Sequence, residues 1–246
     1  MLDTAIAYGE SEVRLGMVGT QGFNVITKLP PLADGVSDIA AWVRNQLQTS
    51  LSLLKVDAIY GVLLHRSQEL AGASGRPIIQ ALQRLKAEGL VKKIGVSIYA
   101  PRELDAVIDI CTIDIVQAPL NPIDRRLVTS GWLQRLHDQG VEVHTRSAFL
   151  QGLLLMPREE IPEKFSPWSN LFARWHSWLQ ENQVTAAQVC LAYLALQPFI
   201  NRVVIGVDSR VQLQELLQTM GRLPEHLPDL HCDDERLINP SNWSLL

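Results

Sequence analysis

Short apolar, β-rich runs alternate with stretches whose apolar residues recur at helical spacing. This alternation predicts an α/β protein with a mostly parallel sheet covered by helices. Two further observations narrow the architecture. The 246 residues are enough for one large domain, a size that α/β barrels often reach. No Gly-x-Gly-x-x-Gly follows an early run, so an open doubly wound sheet lacks its phosphate-binding signature, and an eightfold barrel fits the alternation equally well.

Counting residues 1–4, seven strand candidates follow one another: 1–4, 24–28, 58–65, 93–97, 113–117, 141–146 and 202–206. The first leads into a helix start near Ser11. Residues 36–54 put Ile39, Val43, Leu47 and Leu51 on one stripe at helical spacing. Residues 77–90 do the same with Ile78, Leu82 and Leu85, and Gly89 suits the stop. Stretches 101–111, 130–139 and 209–220 are further helix candidates, and Thr185 reads as the N-cap of a helix over 186–196 that Pro198 ends. The Pro- and Glu-rich stretch 156–170 reads as a surface loop. From about residue 221 the chain carries Pro224, Pro228 and Pro240 and reads as an irregular tail. Composition shifts nowhere sharply, so residues 1–246 are expected to form a single domain.

Hydrophobic residues make up 47% and charged residues 20%, too apolar a balance for a disordered chain. A net charge of −4 with scattered Lys and Arg leaves no footprint for nucleic acid. Cys111, Cys190 and Cys232 form neither an even set nor a C-x-x-C, which argues against a disulfide framework and for a reducing compartment. No apolar run reaches membrane-spanning length, and no charged leader precedes an apolar core. A cytoplasmic protein without a membrane partner is expected. The six histidines show no H-x-x-x-H or H-E-x-x-H spacing, so no metal site is expected, and no G-x-S-x-G elbow is present.

The polar residues that end the strand candidates carry the functional information. Asp3, Lys28, His65, Ser97, Gln117 and Arg146 each close an apolar run, and Tyr8 lies on the loop just past the first. In a parallel α/β protein all strand C-termini lie on one face, and that face carries the site. Taken singly, a lysine at a strand end is usually solvated and a histidine usually packs, yet coincidence would have to hold for every one of them. Together Asp3, Tyr8, Lys28 and His65 define a chemistry. A phenol of ordinary pKa about 10 is a poor proton donor at neutral pH, and a neighbouring ammonium stabilises its phenolate. The ammonium, once buried, needs a carboxylate such as Asp3. His65 can hydrogen-bond the oxygen that takes the proton. The set suits protonation of a carbonyl oxygen while hydride arrives at carbon.

Asp3-Thr4-Ala5 with Tyr8-Gly9 and Ser11-Glu12, then Thr27-Lys28, then Leu64-His65, resembles the aldo-keto reductase superfamily, in its motif order and with the likeness running to about Met220. The resemblance implies a (β/α)8 TIM-barrel fold that binds NAD(P)H without a Rossmann motif and reduces an aldehyde or ketone. In this chain it implies catalytic Asp3, Tyr8, Lys28 and His65, with Tyr8 as proton donor. It implies that Ser97 and Gln117 hold the nicotinamide carboxamide and that Arg146 stands where many members stack an aromatic ring. Ser147, Phe149 and Gly152 would lie in the loop over the pyrophosphate. The segment with Gly206, Asp208, Ser209 and Arg210 would meet the adenosine 2′-phosphate.

The sequence also departs from the family pattern. Ser97 is followed by Ile98 rather than Asn, and Leu216 stands where an Asn commonly reads the adenine. Asp208 replaces a basic residue common in NADPH-preferring members, and a carboxylate suits a ribose hydroxyl better than a phosphate. NADPH is the expected cofactor, with NADH as the alternative. The family's first strand and helix have no counterpart before Asp3, so the expectation is a barrel seen without that unit, in a chain that continues upstream. The second functional reading is a nicotinamide-cofactor-binding protein with little turnover. Phe165, Trp168 and Phe172 suit either a substrate pocket or the core, and Trp175 and Trp178 suit packing on one helical face. The small-molecule carbonyl substrate and the oligomeric state are left open.

Overall fold

The computed structural model describes residues 1–218 and 227–246, so the start of the expected tail near 221 lies outside the described residues. In chain order the elements are β1 (Leu2–Asp3), α1 (Ser11–Val18), β2 (Val25–Leu29), α2 (Ile39–Leu54), β3 (Ile59–Leu64), α3 (Gly75–Ala87), β4 (Val91–Ser97), α4 (Glu103–Ile110) and β5 (Ile115–Pro119). Then come α5 (Arg126–Thr129), α6 (Trp132–Asp138), β6 (Glu142–Arg146), α7 (Ser169–Glu181), α8 (Ala186–Ala195), β7 (Arg202–Val203), α9 (Arg210–Gln218) and α10 (Glu235–Ile238). The seven strands stand where the apolar runs place them, within a few residues. Helix α2 starts at Ile39 rather than 36 because Asp38 caps it, accepting from Ala41 N–H at 2.9 Å. Thr185 and Gln188 form the reciprocal capping box of α8. Among the described residues no helix is long and apolar enough to cross a membrane.

The chain forms two compact units. The first comprises Met1–Ala118 and Leu136–Val143. In it β1 to β5 pair in parallel and in chain order, through Asp3↔Ile26, Lys28↔Leu63, Leu63↔Gly95 and Ser97↔Gln117. Strands β2 and β5 are buried at every position, as a sheet covered on both faces requires. Ile26, Leu63 and Ile115 form a cluster, with Tyr60 against it. Helix α1 packs on α2 through Gly16, where a Cβ would come within 1.9 Å of the Leu53 carbonyl oxygen, so no larger residue fits there.

The second unit comprises Pro119–Arg135 and His144–Leu246. Here β6 pairs with β7 in parallel through His144↔Arg202 and Thr145↔Val203. Only two residues of the expected 202–206 strand join this ladder before the chain turns toward α9. Helix α9 was expected over 209–220; its end beyond Gln218 lies outside the described residues. Phe165, Trp168, Phe172 and Trp175 are buried in one core with Leu154, Leu230 and Ile238, so these aromatic side chains are packing residues. Trp175 Nε1–H donates to the Leu154 carbonyl at 3.1 Å, and its ring stacks on Trp178 at 6.5 Å. The stretch expected as a loop over 156–170 contains short 3-10 turns, Arg158–Glu160 and Glu163–Trp168, each entered from a proline. The tail is irregular from 227 until α10 and a 3-10 turn, Pro240–Leu245.

Candidate active site

Six of the strand-end residues and loop residues named above belong to the first unit: Asp3, Tyr8, Lys28, His65, Ser97 and Gln117. Asp3 ends β1 and Lys28 sits near the end of β2. Lys28 is only 1% exposed, and its ammonium donates to Asp3 Oδ1 at 2.6 Å and to the Thr4 carbonyl at 2.9 Å. A charge this deep is tolerated because a carboxylate and a backbone dipole replace its water. The other oxygen of Asp3 is taken as well: Gln117 Nε2–H, from β5, donates to Oδ2 at 2.7 Å. The carboxylate is thereby held between an ammonium and an amide, across 114 residues of sequence.

Tyr8 rides on the loop between β1 and α1. That loop is closed by Tyr8 N–H to the Ala5 carbonyl and Ser11 N–H to the Tyr8 carbonyl, and it turns at Gly9 with φ of 57°. Ile6 N–H donates to the Lys28 carbonyl, which ties the loop to β2. The Tyr8 side chain is 49% exposed. The Lys28 ammonium lies 5.1 Å from the centre of its ring, within cation–π range. His65 meets the same ring edge-on, with centroids 5.7 Å apart and planes at 80°. Its N–H extends the β2–β3 ladder by donating to the Leu29 carbonyl at 3.1 Å. Carboxylate, ammonium, phenol and imidazole are thus brought together, from three strand ends and one loop.

Ser97, at the end of β4, pairs with Gln117, which lies in the middle of β5 rather than closing it as expected, because that strand runs on to Pro119. Among the described residues neither Ser97 Oγ nor Gln117 Oε1 takes part in a hydrogen bond. This edge therefore offers a hydroxyl donor and an amide acceptor together, a set that fits a primary carboxamide. Ile98, next along, is fully buried and contributes to the core.

The remaining candidates lie in the second unit. Arg146 ends β6, and its Nη1–H donates to Ser147 Oγ at 3.2 Å. Ser147 has φ of 61° and Gly152 has φ of 83°, so the segment between them turns tightly, with Phe149 packed against the unit's core. At the start of α9, Asp208 N–H donates to Gln212 Oε1 at 2.7 Å and Gln212 N–H donates to Ser209 Oγ at 3.1 Å. These bonds cap the helix internally. Asp208 and Arg210 are exposed, and space is open around the Cα of Gly206. Leu216 is buried.

Sequence reasoning overlooked Thr4, whose carbonyl accepts from Lys28, and the bond between Gln117 and Asp3. It also left Glu12 without a part, although a carboxylate on the inward side of a first helical turn is a visible anomaly.

A parallel α/β chain with this strand-end cluster is the aldo-keto reductase kind of protein, and comparison with known proteins agrees. The family model for the aldo/keto reductase family matches residues 1–225. The chain belongs to that family. Its fold, of the (β/α)8 type with seven strands among the described residues, is similar to that of an aldo-keto reductase from Bacillus halodurans solved in a holo form. That likeness has a TM-score of 0.69 at 22% identity and covers 92% of this chain and 78% of the other. Among curated proteins, an uncharacterized oxidoreductase of Bacillus subtilis is 24% identical over 187 residues, 72% of this chain and 60% of its own length. Aflatoxin B1 aldehyde reductase member 2 of Rattus norvegicus is 36% identical over 121 residues, 45% of this chain and 31% of its own. The chain thus spans less than two thirds of the length of these curated relatives.

Proposed function

We propose that this chain is an NAD(P)H-dependent carbonyl reductase that turns an aldehyde or ketone into an alcohol. The observation that carries the reading is the ion pair of buried Lys28 with Asp3, its ammonium facing the ring of a half-exposed Tyr8, with His65 against the same ring. When bound, a reduced nicotinamide supplies hydride to the carbonyl carbon. Tyr8 Oη gives its proton to the carbonyl oxygen, so the C=O π bond is replaced by one C–H and one O–H bond. The phenolate left behind is stabilised by the Lys28 ammonium and regains a proton from solvent, which reaches this half-exposed residue. Asp3 keeps Lys28 charged in its buried position, and His65 orients the carbonyl oxygen toward Tyr8.

For the cofactor, Ser97 and Gln117 suit the carboxamide. In the second unit we assign Arg146, Ser147, Phe149, Gly152, Gly206, Asp208, Ser209 and Arg210 to cofactor binding. We take NADPH as the cofactor, with Arg210 to neutralise its extra phosphate. The ratio of kcat/KM for NADPH and NADH tests this: a preference for NADH would assign Asp208 to a ribose hydroxyl instead.

Tyr8→Phe is the central experiment. It should lower kcat on an aldehyde and ketone panel by about 10²- to 10⁴-fold while cofactor titration stays near wild type. A wild-type chain that binds cofactor tightly and reduces nothing on the panel would instead be a binding protein without turnover.

A further inference from the structure

Glu12 takes a carboxylate into the interior of the first unit, where it is 4% exposed. Its Oε1 accepts from Thr27 Oγ1 at 2.6 Å and its Oε2 from Ser50 Oγ at 3.1 Å. Thr27 and Ser50 are themselves fully buried. Among the described residues no cation pairs with Glu12. Its position in the first turn of α1 offsets part of the desolvation cost, yet an apolar residue of similar size would fill the space at lower cost.

What the carboxylate holds is specific. Thr27 immediately precedes Lys28 on β2, and successive side chains on a strand point to opposite faces, so Glu12 grips the outer face of the strand whose inner face presents the ammonium. At the other end of the Tyr8 loop, Thr4 Oγ1–H donates to Ser11 Oγ at 2.8 Å, while the Thr4 carbonyl accepts from Lys28. The Thr4–Ser11 bond closes the neck of the loop, and the segment is held to β2 at three points: Thr4 through Lys28, Ile6 N–H through the Lys28 carbonyl, and Glu12 through Thr27.

We propose that Glu12 is a positioning residue that fixes the loop of Tyr8 onto the strand of Lys28 and so sets the distance between phenol and ammonium. The proposal rests on the reading of Tyr8 as the proton donor. A displacement of about 1 Å at such a site can cost 100-fold in rate.

Three variants and two readouts test it. Glu12→Ala should lower kcat by about 10- to 100-fold and shift its pH profile, with cofactor affinity unchanged. Glu12→Gln, which still bonds both hydroxyls, should stay within about fivefold of wild type. Thr27→Val should reproduce the Glu12→Ala shift, and the double variant should add little to it. The second readout needs no turnover. In protein labelled with 13C on the tyrosine rings, the Tyr8 resonance, assigned with Tyr8→Phe, should move in Glu12→Ala and Thr27→Val while those of Tyr60 and Tyr193 stay. A lower melting temperature with unaltered kcat per folded molecule, pH profile and Tyr8 resonance would overturn the proposal. If Glu12→Ala does not fold, Thr27→Val decides by the same criteria. If Tyr8→Phe still turns over, the reading of Tyr8 falls by itself, and the resonance shift decides whether Glu12 positions that ring.

Discussion

The first unit contains two clusters made of the same three groups. At the C-terminal ends of the strands stand Tyr8, Lys28 and Asp3. Nearer the N-terminal ends of β3, β4 and β6 stand Tyr60, Lys93 and Glu142. In the second cluster the carboxylate takes both partners: Lys93 Nζ donates to Glu142 Oε1 at 2.6 Å, and Tyr60 Oη–H donates to Oε1 and Oε2 at 2.9 and 3.1 Å. Burial and then the bond to Glu142 push the Tyr60 phenol above its ordinary range. Burial is the largest single influence on Lys93 and opposes its charge, but the hydrogen bond and the ionic attraction to Glu142, with smaller help from Tyr60, together outweigh it, so that ammonium is also raised. Tyr60 keeps its proton. In the first cluster both oxygens of Asp3 are held by Lys28 and Gln117, and the ammonium faces the Tyr8 ring. The same inventory therefore makes a locked ion pair in one place and a proton-transfer candidate in the other. What differs is which group the carboxylate takes.

Exchanging Lys28 for Met should break the comparison most severely. It should abolish reduction and cost about 3 kcal/mol in denaturant unfolding, because the largely enclosed Asp3 carboxylate would lose its cation. Lys93→Met, at the more exposed pair, should cost about 1 kcal/mol or less and leave turnover intact. Equal losses at the two lysines would remove the distinction. Gln117→Leu should have an intermediate effect. It leaves one Asp3 oxygen without its amide, costing about 1–3 kcal/mol, and kcat should fall together with cofactor affinity.

The smallest effect concerns pH. Tyr60 and Lys93 both have raised values in the folded chain, so their contribution to stability is fully present below the ordinary values near 10 and is lost as pH rises above them. Glu142→Gln should flatten this alkaline loss, measured as unfolding free energy against pH above about 10. Identical alkaline limbs in wild type and variant would refute the assignment.

Much of this was legible beforehand, for identifiable reasons. Strand runs such as 24–28 and 58–65 were readable because burial on both faces leaves an unbroken apolar run, and polar residues such as Lys28 and His65 stand out where the run ends. The cap at Thr185 was readable because its partner, Gln188, lies three residues away. Phe165 and Trp168 were ambiguous, since composition alone does not distinguish an aromatic facing a pocket from one facing a core, and the structure buries both in the core of the second unit. Helix α1 was barely hinted at, because its packing rests on Gly16 meeting the backbone of α2 rather than on an apolar stripe.

The sequence by itself determined the succession of strands and helices, the face on which the polar strand ends gather, and the kind of chemistry that Asp3, Tyr8, Lys28 and His65 allow. These follow from periodicity and strand polarity, which are local properties. Only the tertiary structure decided the partners: Gln117 on Asp3, Thr27 and Ser50 on Glu12, and Glu142 rather than Asp3 as the carboxylate of a second Tyr–Lys pair. A hydrogen bond is chosen by register and by distance in space. Residues 114 apart in the chain meet only after β1 through β5 have paired in parallel.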